Sequence, residues 1–390
     1  MTNLYLGKSV PSHAFLGRND EMQDIVDAIY ASGNAELIGP HRSGKSALCR
    51  KLSEDLQKID DGVVSIIVDL QHLSTPRFRQ AIVSITGVPL VCDSTLPEEH
   101  TGADIEAIDT LINHVKSQKK MLVIFIDEMD VGALHKGCFN EWNSNLRTLR
   151  HKLFEESCPE IAVVRVFSSN PERYGTIHDV NAVSIMIGTD PIITIKPLLN
   201  EQASSLFNSI NKNNDVNDQF ALKYTGTFPL LIEIFAFQAN KIKNKQVDYI
   251  DLLHSVYEQS QSFYSDLYRY IESIDYHSSS YISIILSLAF EDAITISEQP
   301  KPTGYQKFDL DGYQISQLIK LGVIRNIDGK NVLFSPLFSW WLSRRTVIEL
   351  TEEASQIKKV GEFLGVKNPK ELLGLVKTSI STGKGIAALL

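Results

Sequence analysis

A chain of 390 residues, 43% hydrophobic and 22% charged, has room for two or three domains and the make-up of a globular protein. Its net charge of −9 gives no global attraction to nucleic acid, and no apolar run reaches the roughly 20 residues of a membrane span. Residues 1–11 lack the apolar core of a secretion signal, and Cys49, Cys92, Cys138 and Cys158 form no CxxC pair. Reduced thiols, a cytoplasmic location and no membrane partner are therefore expected.

In chain order, the first informative window is 13–21. Phe15-Leu16-Gly17-Arg18 and then Glu21 precede a helical pattern of Met22, Ile25, Val26 and Ile29, for which Asn19 or Asp20 is the expected N-cap. Glu36-Leu37-Ile38 reads as a strand, and residues 47–52 as an amphipathic helix. Between them lies Gly39-Pro40-His41-Arg42-Ser43-Gly44-Lys45-Ser46, of the form GxxxxGK[ST]. In a strand–loop–helix setting this pattern is a phosphate site. Gly39 and Gly44 free the backbone to turn consecutive N–H groups inward, and the helix N-terminus adds positive potential. Lys45 is expected to reach the β- and γ-phosphates, and the Ser46 hydroxyl to be a magnesium ligand. The candidate nucleotide-binding set runs through Gly39, Pro40, His41, Arg42, Ser43, Gly44, Lys45, Ser46 and Ala47, with Arg18 in the loop ahead.

Residues 63–69 form a β-branched apolar run of the kind found in parallel sheets, and 76–86 and 103–118 look helical. Met121-Leu122-Val123-Ile124-Phe125-Ile126 then runs straight into Asp127 and Glu128. Ligands bind beyond the C-terminal ends of such strands. Asp127 is placed to hold magnesium and Glu128 to act as general base on an attacking water. A helix over 138–156 carries Trp142, Leu146, Leu149 and Leu153 on one stripe, ringed by Arg147, Arg150, His151 and Lys152. The run 161–167 ends at Asn170, which either touches the γ-phosphate or simply ends a turn; Arg173 is the alternative sensor. A last strand at 192–195 leads to Asn200, the expected cap of a helix over 201–210. Alternating strands and helices predict a parallel sheet over residues 1–200.

Residues 201–274 are helical throughout, divided at Gly226 and Pro229. Those two residues end one helix and start the next, or else belong to a lid that lays Pro229 on an adenine. Residues 275–345 combine helices with a hairpin signal at Asp328-Gly329, the parts of a winged helix. The helix proposed to read DNA, 311–321, has Lys320 as its one basic residue, which argues against tight phosphate binding. The tail, 346–390, holds two helical patterns and an apolar end with Leu389 and Leu390. Residues 300–390 carry 13 basic and 8 acidic residues, a local excess of +5.

GPHRSGKS (39–46) resembles a Walker A motif and MLVIFIDE (121–128) a Walker B motif. FLGRNDE (15–21) is similar to the box ahead of Walker A in STAND ATPases, an AAA+-related group. NLRTLRHKL (145–153) and TGTFPLLIE (225–233) resemble its prokaryotic "archaeal ATPase" branch, although Thr227-Phe228 stands where that branch usually has Gly-x before the proline. The resemblance covers about residues 13–345. It implies an α/β P-loop domain with a five-stranded sheet in the order 5-1-4-3-2, then a helical lid and a winged helix. It further implies ATP and Mg2+ as cofactors, nucleotide-controlled switching, homo-oligomerisation and, in many bacterial relatives, phage defence. The expected activity is that of a regulatory ATPase, with an effector protein docking on the winged helix or tail. A DNA-loaded ATPase similar to origin-recognition or transposition-target proteins is the alternative. A nucleotide-bound scaffold that recruits an effector is a third.

Overall fold

The computed structural model describes residues 15–71, 77–90, 103–130, 136–155, 161–168, 190–213, 215–242, 247–274, 280–297, 302, 304–306, 312–349 and 355–381. Two compact units divide the chain: the first takes in the described residues up to Pro40 and Gly44–Ile195, the second Lys196 onward together with His41–Ser43.

The first unit carries, in order, α1 (Asn19–Ser32), β1 (Asn34–Ile38), α2 (Lys45–Ile59), β2 (Val63–Asp69), α3 (Phe78–Thr86), α4 (Ile105–Gln118), β3 (Met121–Asp127), α5 (Lys136–Glu155), β4 (Ile161–Phe167) and β5 (Ile192–Thr194). The five strands form one sheet in the order β2-β3-β4-β1-β5, every pairing parallel. This is the expected order read from the opposite edge. Val123, Phe125, Val164 and Val166 are wholly buried, which is why β3 and β4 read as unbroken apolar runs. Leu48, Cys49, Leu52 and Leu56 of α2 and Ile25 and Ile29 of α1 complete that core. Cys49 is a free thiol; Cys92 and Cys158 lie outside the described residues.

The helix α1 starts differently from expectation. Its N-cap is Arg18, and neither Asn19 nor Asp20 caps it. The Met22 amide reaches the Arg18 carbonyl at 3.0 Å, so the helix begins one residue earlier. Asp20 and Glu21 thereby fall in the first turn, where the helix dipole favours acids. On α5, Trp142, Leu146 and Leu149 are buried as their spacing predicts. Two of the basic residues around that stripe are paired rather than free: Arg150 meets Asp190 at 2.9 Å and Lys152 meets Asp109.

Two charges in the sheet break the apolar pattern together. Glu36 of β1 lies opposite Arg165 of β4 in register. The Arg165 guanidinium, 2% exposed, donates to Glu36 and, at 2.8 Å, to Asp190. Each charge is tolerable inside only because the other is there.

The second unit carries α6 (Asn200–Ile210), α7 (Asp218–Thr225), α8 (Pro229–Lys241), α9 (Tyr249–Ile274), α10 (Ser280–Ser297), α11 (Tyr313–Lys320), β6 (Ile324–Ile327), β7 (Lys330–Leu333), α12 (Pro336–Glu349), α13 (Ser355–Phe363) and α14 (Pro369–Ser381). Asn200 is the first residue of α6 rather than its cap; the cap is Leu199, whose N–H is held by Gln202 at 3.1 Å. The hairpin forms as expected, antiparallel, with Asp328 and Gly329 both left-handed at φ 50 and 74. One apolar cluster runs from Leu198 to Val376 and includes Leu372 and Leu373 of α14. It therefore takes in α6–α10, the hairpin and the last two helices. Gly226 (φ 59) is required where it stands: a β-carbon there would meet the Phe334 ring at 2.6 Å. The apolar end at Leu389 and Leu390 lies outside the described residues.

Arg165→Met should lower stability by about 3–5 kcal/mol, because Glu36 and Asp190 would remain buried without their counter-charge. Denaturant unfolding followed by circular dichroism measures it; a change under about 1 kcal/mol would mean the cluster is not needed to hold β1 against β4.

Candidate functional site

The sheet order sets β1, β4 and β3 side by side, so whatever follows their last residues meets at one edge. After β1 the Gly39 amide donates to the Phe167 carbonyl at 3.2 Å, which carries the β1–β4 ladder one step into the loop. Gly39 and Pro40 are buried, while His41 and Arg42 are exposed. Arg42 (φ 62) and Gly44 (φ 98) are left-handed on either side of buried Ser43. An alternation of this kind is the one that turns successive amides to one side in anion-binding concavities. Gly44 is also the N-cap of α2 and offers no side chain to close the helix end. Ser46 is half-buried on the first turn of α2, beside buried Ala47.

Lys45 begins α2 and is 6% exposed. Its ammonium folds back into the loop, donating to the Gly39 and Pro40 carbonyls at 2.9 Å each. Burial lowers its pKa, and the charges of Asp130, Glu128 and Asp127, in that order, oppose the shift. The acids come from the end of β3. Asp127, 4% exposed, accepts the Glu128 amide at 3.0 Å and lies opposite Asp69 of β2 in register. Asp130 accepts the Ser168 amide just past β4. Glu128 itself is left-handed (φ 56) and half-buried. Burial first, then Asp127, pushes its carboxyl up to about 7, with Lys45 pulling the other way.

Arg18 is the second cation here. It is 4% exposed and left-handed (φ 65), with Glu21 at 3.6 Å. Its guanidinium lies 3.8 Å from where a β-carbon on Gly44 would stand, so it is lodged against the phosphate-loop backbone. Burial lowers its pKa to about 10, opposed by Glu21. Arg18, Arg42 and Glu128 are three of the five non-glycine residues with positive φ among the described residues. Strain of this kind concentrates where a site over-determines its backbone.

Of the residues expected from sequence, Arg18, Lys45, Asp127 and Glu128 are coupled by contact or charge around Gly39, Pro40 and Gly44. Pro229 is in the other unit, half-buried as the first residue of α8. Asn170 and Arg173 lie outside the described residues. Sequence reasoning missed Asp130 and Asp69. Both left a signal: Asp130 follows Asp127-Glu128 by two residues, and Asp69 ends the apolar run of β2.

The donors fit a triphosphate with magnesium. Two buried cations suit phosphate oxygens, and the Ser46 hydroxyl and Asp127 carboxylate are hard oxygen ligands. No group of three His, Cys, Asp or Glu side chains among the described residues forms a metal cage. A magnesium ion here would complete its shell with water and phosphate oxygens, its usual habit.

Residues 29–166 match the family model of an AAA domain. That span runs from α1 through β4 and contains the phosphate loop and the acids at the end of β3. No curated protein matches the chain. A Walker-type ATPase of Pyrococcus abyssi is similar in structure at 15% identity and TM-score 0.46, over 86% of this chain and 99% of that one. The ORC1 protein of Aeropyrum pernix, solved in complex with DNA, gives 17% and 0.42 over 87% and 94%. A STAND protein with a tetratricopeptide repeat sensor from Pyrococcus horikoshii gives 13% and 0.35 over 96% and 52%. The likeness to an AAA domain thus falls on the part of the first unit that carries the glycine loop and the β3 acids. No helix among the described residues is long and apolar enough to cross a membrane.

A carboxyl raised to about 7 in the fold and near 4.5 unfolded makes its charged form a cost to the native state. The cost is absent below pH 4.5, grows as pH rises, and is complete above pH 7. Glu128→Gln should therefore match the parent's stability at pH 4 and exceed it at pH 8.5, by on the order of 1 kcal/mol for a partly exposed group. Equal melting temperatures at both pH values would remove the raised carboxyl.

Proposed function

We propose that the protein binds and hydrolyses ATP at this site and uses the cycle as a regulatory switch. The observation that carries the reading is the Lys45 ammonium, buried in the loop and charge-coupled to Glu128, Asp127 and Asp130. Gly39 to Ala47 would cradle the triphosphate, with Lys45 and Arg18 as its cations. Ser46 and Asp127 would hold magnesium, which would neutralise charge on the phosphate oxygens. Glu128 would take the proton of the attacking water, a task suited to a carboxyl near pH 7. Asp130, tied to the end of β4, positions the turn that carries Glu128. Asn170 and Pro229 remain proposed contacts to the γ-phosphate and the adenine.

The second unit would act as the responding part: α6–α9 as a lid, and α10–α12 with the hairpin as a winged helix. Homo-oligomerisation or an effector docked on that unit would read the nucleotide state, as in STAND proteins, and a role in bacterial defence would fit that habit. The DNA-loading alternative has less support, since Lys320 is the one basic residue on α11.

Glu128→Gln should retain nucleotide while steady-state phosphate release falls at least about a hundredfold. For the parent, kcat/KM should rise with pH through about 7, as Glu128 loses its proton. Arg18→Ala should weaken nucleotide affinity roughly tenfold, the loss of a charge-assisted contact. Unchanged phosphate release in Glu128→Gln rules out its role as base.

A further inference from the structure

Far along the chain from the phosphate loop, the second unit contains a cavity of about 350 Å³ between α10, the β6–β7 hairpin and α12. Its walls are mostly apolar, with Ala289 and Ala293 from α10, Leu333 from β7, and Pro336 and Trp340 from α12. Its polar side chains are Lys223, Asp292, Thr295, Arg325, Ser339 and Ser343. Arg325 of β6, opposite Val332 of β7 in register, lines it half-buried. The Arg325 Nε is buried and donates to nothing among the described residues. Asp292 lines another part and is held by the Ser339 hydroxyl at 2.6 Å. Lys223 adds a second cation to the lining.

Leaving a guanidinium donor buried and unpaired costs about 1–3 kcal/mol or more, so native structures seldom do it. Burial lowers the Arg325 pKa, with no carboxylate among the described residues acting against it. Asp292 does not relieve Arg325: burial raises its own carboxyl to about 6, opposed by Ser339 and reinforced by Glu291. No acceptor for the Arg325 Nε stands among the described residues, so a ligand's acceptor would relieve it. The volume is near the lower end of small-ligand sites, and apolar walls with a few converging polar groups are their usual form.

We propose that this cavity binds a small organic acid, one carboxylate or phosphate group on Arg325 and a short apolar body against Ala293, Leu333 and Trp340. A ligand seated between α10, the hairpin and α12 fixes three elements of the unit proposed to respond to nucleotide, so it would act as an effector. The binding itself stands apart from that reading.

The intact chain is titrated with hexanoate, hexyl phosphate, hexanol and hexylamine, followed by tryptophan fluorescence and calorimetry. Saturable binding of at least one of the two acids is expected at or below about 10 mM, with hexanol and hexylamine at least tenfold weaker. The tighter acid identifies the head group. Arg325→Gln should weaken it at least tenfold, Ala293→Leu should abolish it by filling the cavity with Arg325 intact, and Trp340→Phe should remove most of the fluorescence change. Lys45→Ala should bind the acid as the parent does, which separates this site from the phosphate loop. The proposal is overturned if hexanol binds as tightly as both acids, if Arg325→Gln and Ala293→Leu bind normally, or if only duplex DNA produces a response.

Discussion

The first unit depends on a buried positive charge that has no carboxylate in direct contact among the described residues. Lys45 is held by two loop carbonyls, and its charge is supported through space by acids from the end of β3. This works only because β1 and β3 both border β4, so that their C-terminal ends open on the same edge of the sheet. The Glu36–Arg165 pair in turn ties β1 to β4. Sheet order, loop geometry and the titration of Glu128 are thus one chain of cause.

The same arrangement explains the strained residues. Arg42 and Gly44 are left-handed on either side of Ser43, and Glu128 is left-handed where the chain leaves β3 after Asp127. A non-glycine residue gives up roughly 1–2 kcal/mol in that conformation. Three such residues, Arg18, Arg42 and Glu128, mean that stability has been exchanged for geometry there. The second unit follows a different logic. Its core is one continuous apolar cluster in which aromatic rings interlock, Phe334 standing 4.7 Å from Phe228 and 5.1 Å from Phe338.

Much of this was legible in the sequence because it rests on local rules. The loop 39–46 shows itself as glycines between a strand and a helix, the parallel sheet as apolar runs, and the hairpin as Asp328-Gly329. What stayed hidden depended on pairing across the fold. Nothing in the neighbourhood of Glu36 or Arg165 says that they face each other. Asp130 joins the site through an amide at the end of another strand, and Arg18 through contact with Gly44. The cap of α1 was misplaced because Asn19 and Asp20 are good caps, yet the left-handed Arg18 starts the helix first. The cavity at Arg325 was invisible, since a lone arginine in a hairpin strand looks like ordinary surface.

The account stands on the claim that Lys45 and the amides around it form a triphosphate site. Calorimetric titration of the intact chain with ATP and magnesium tests this most directly. The account predicts saturable uptake near one nucleotide per chain, lost in Lys45→Ala while circular dichroism stays unchanged. No uptake by the parent, or equal uptake by a folded Lys45→Ala, would contradict it.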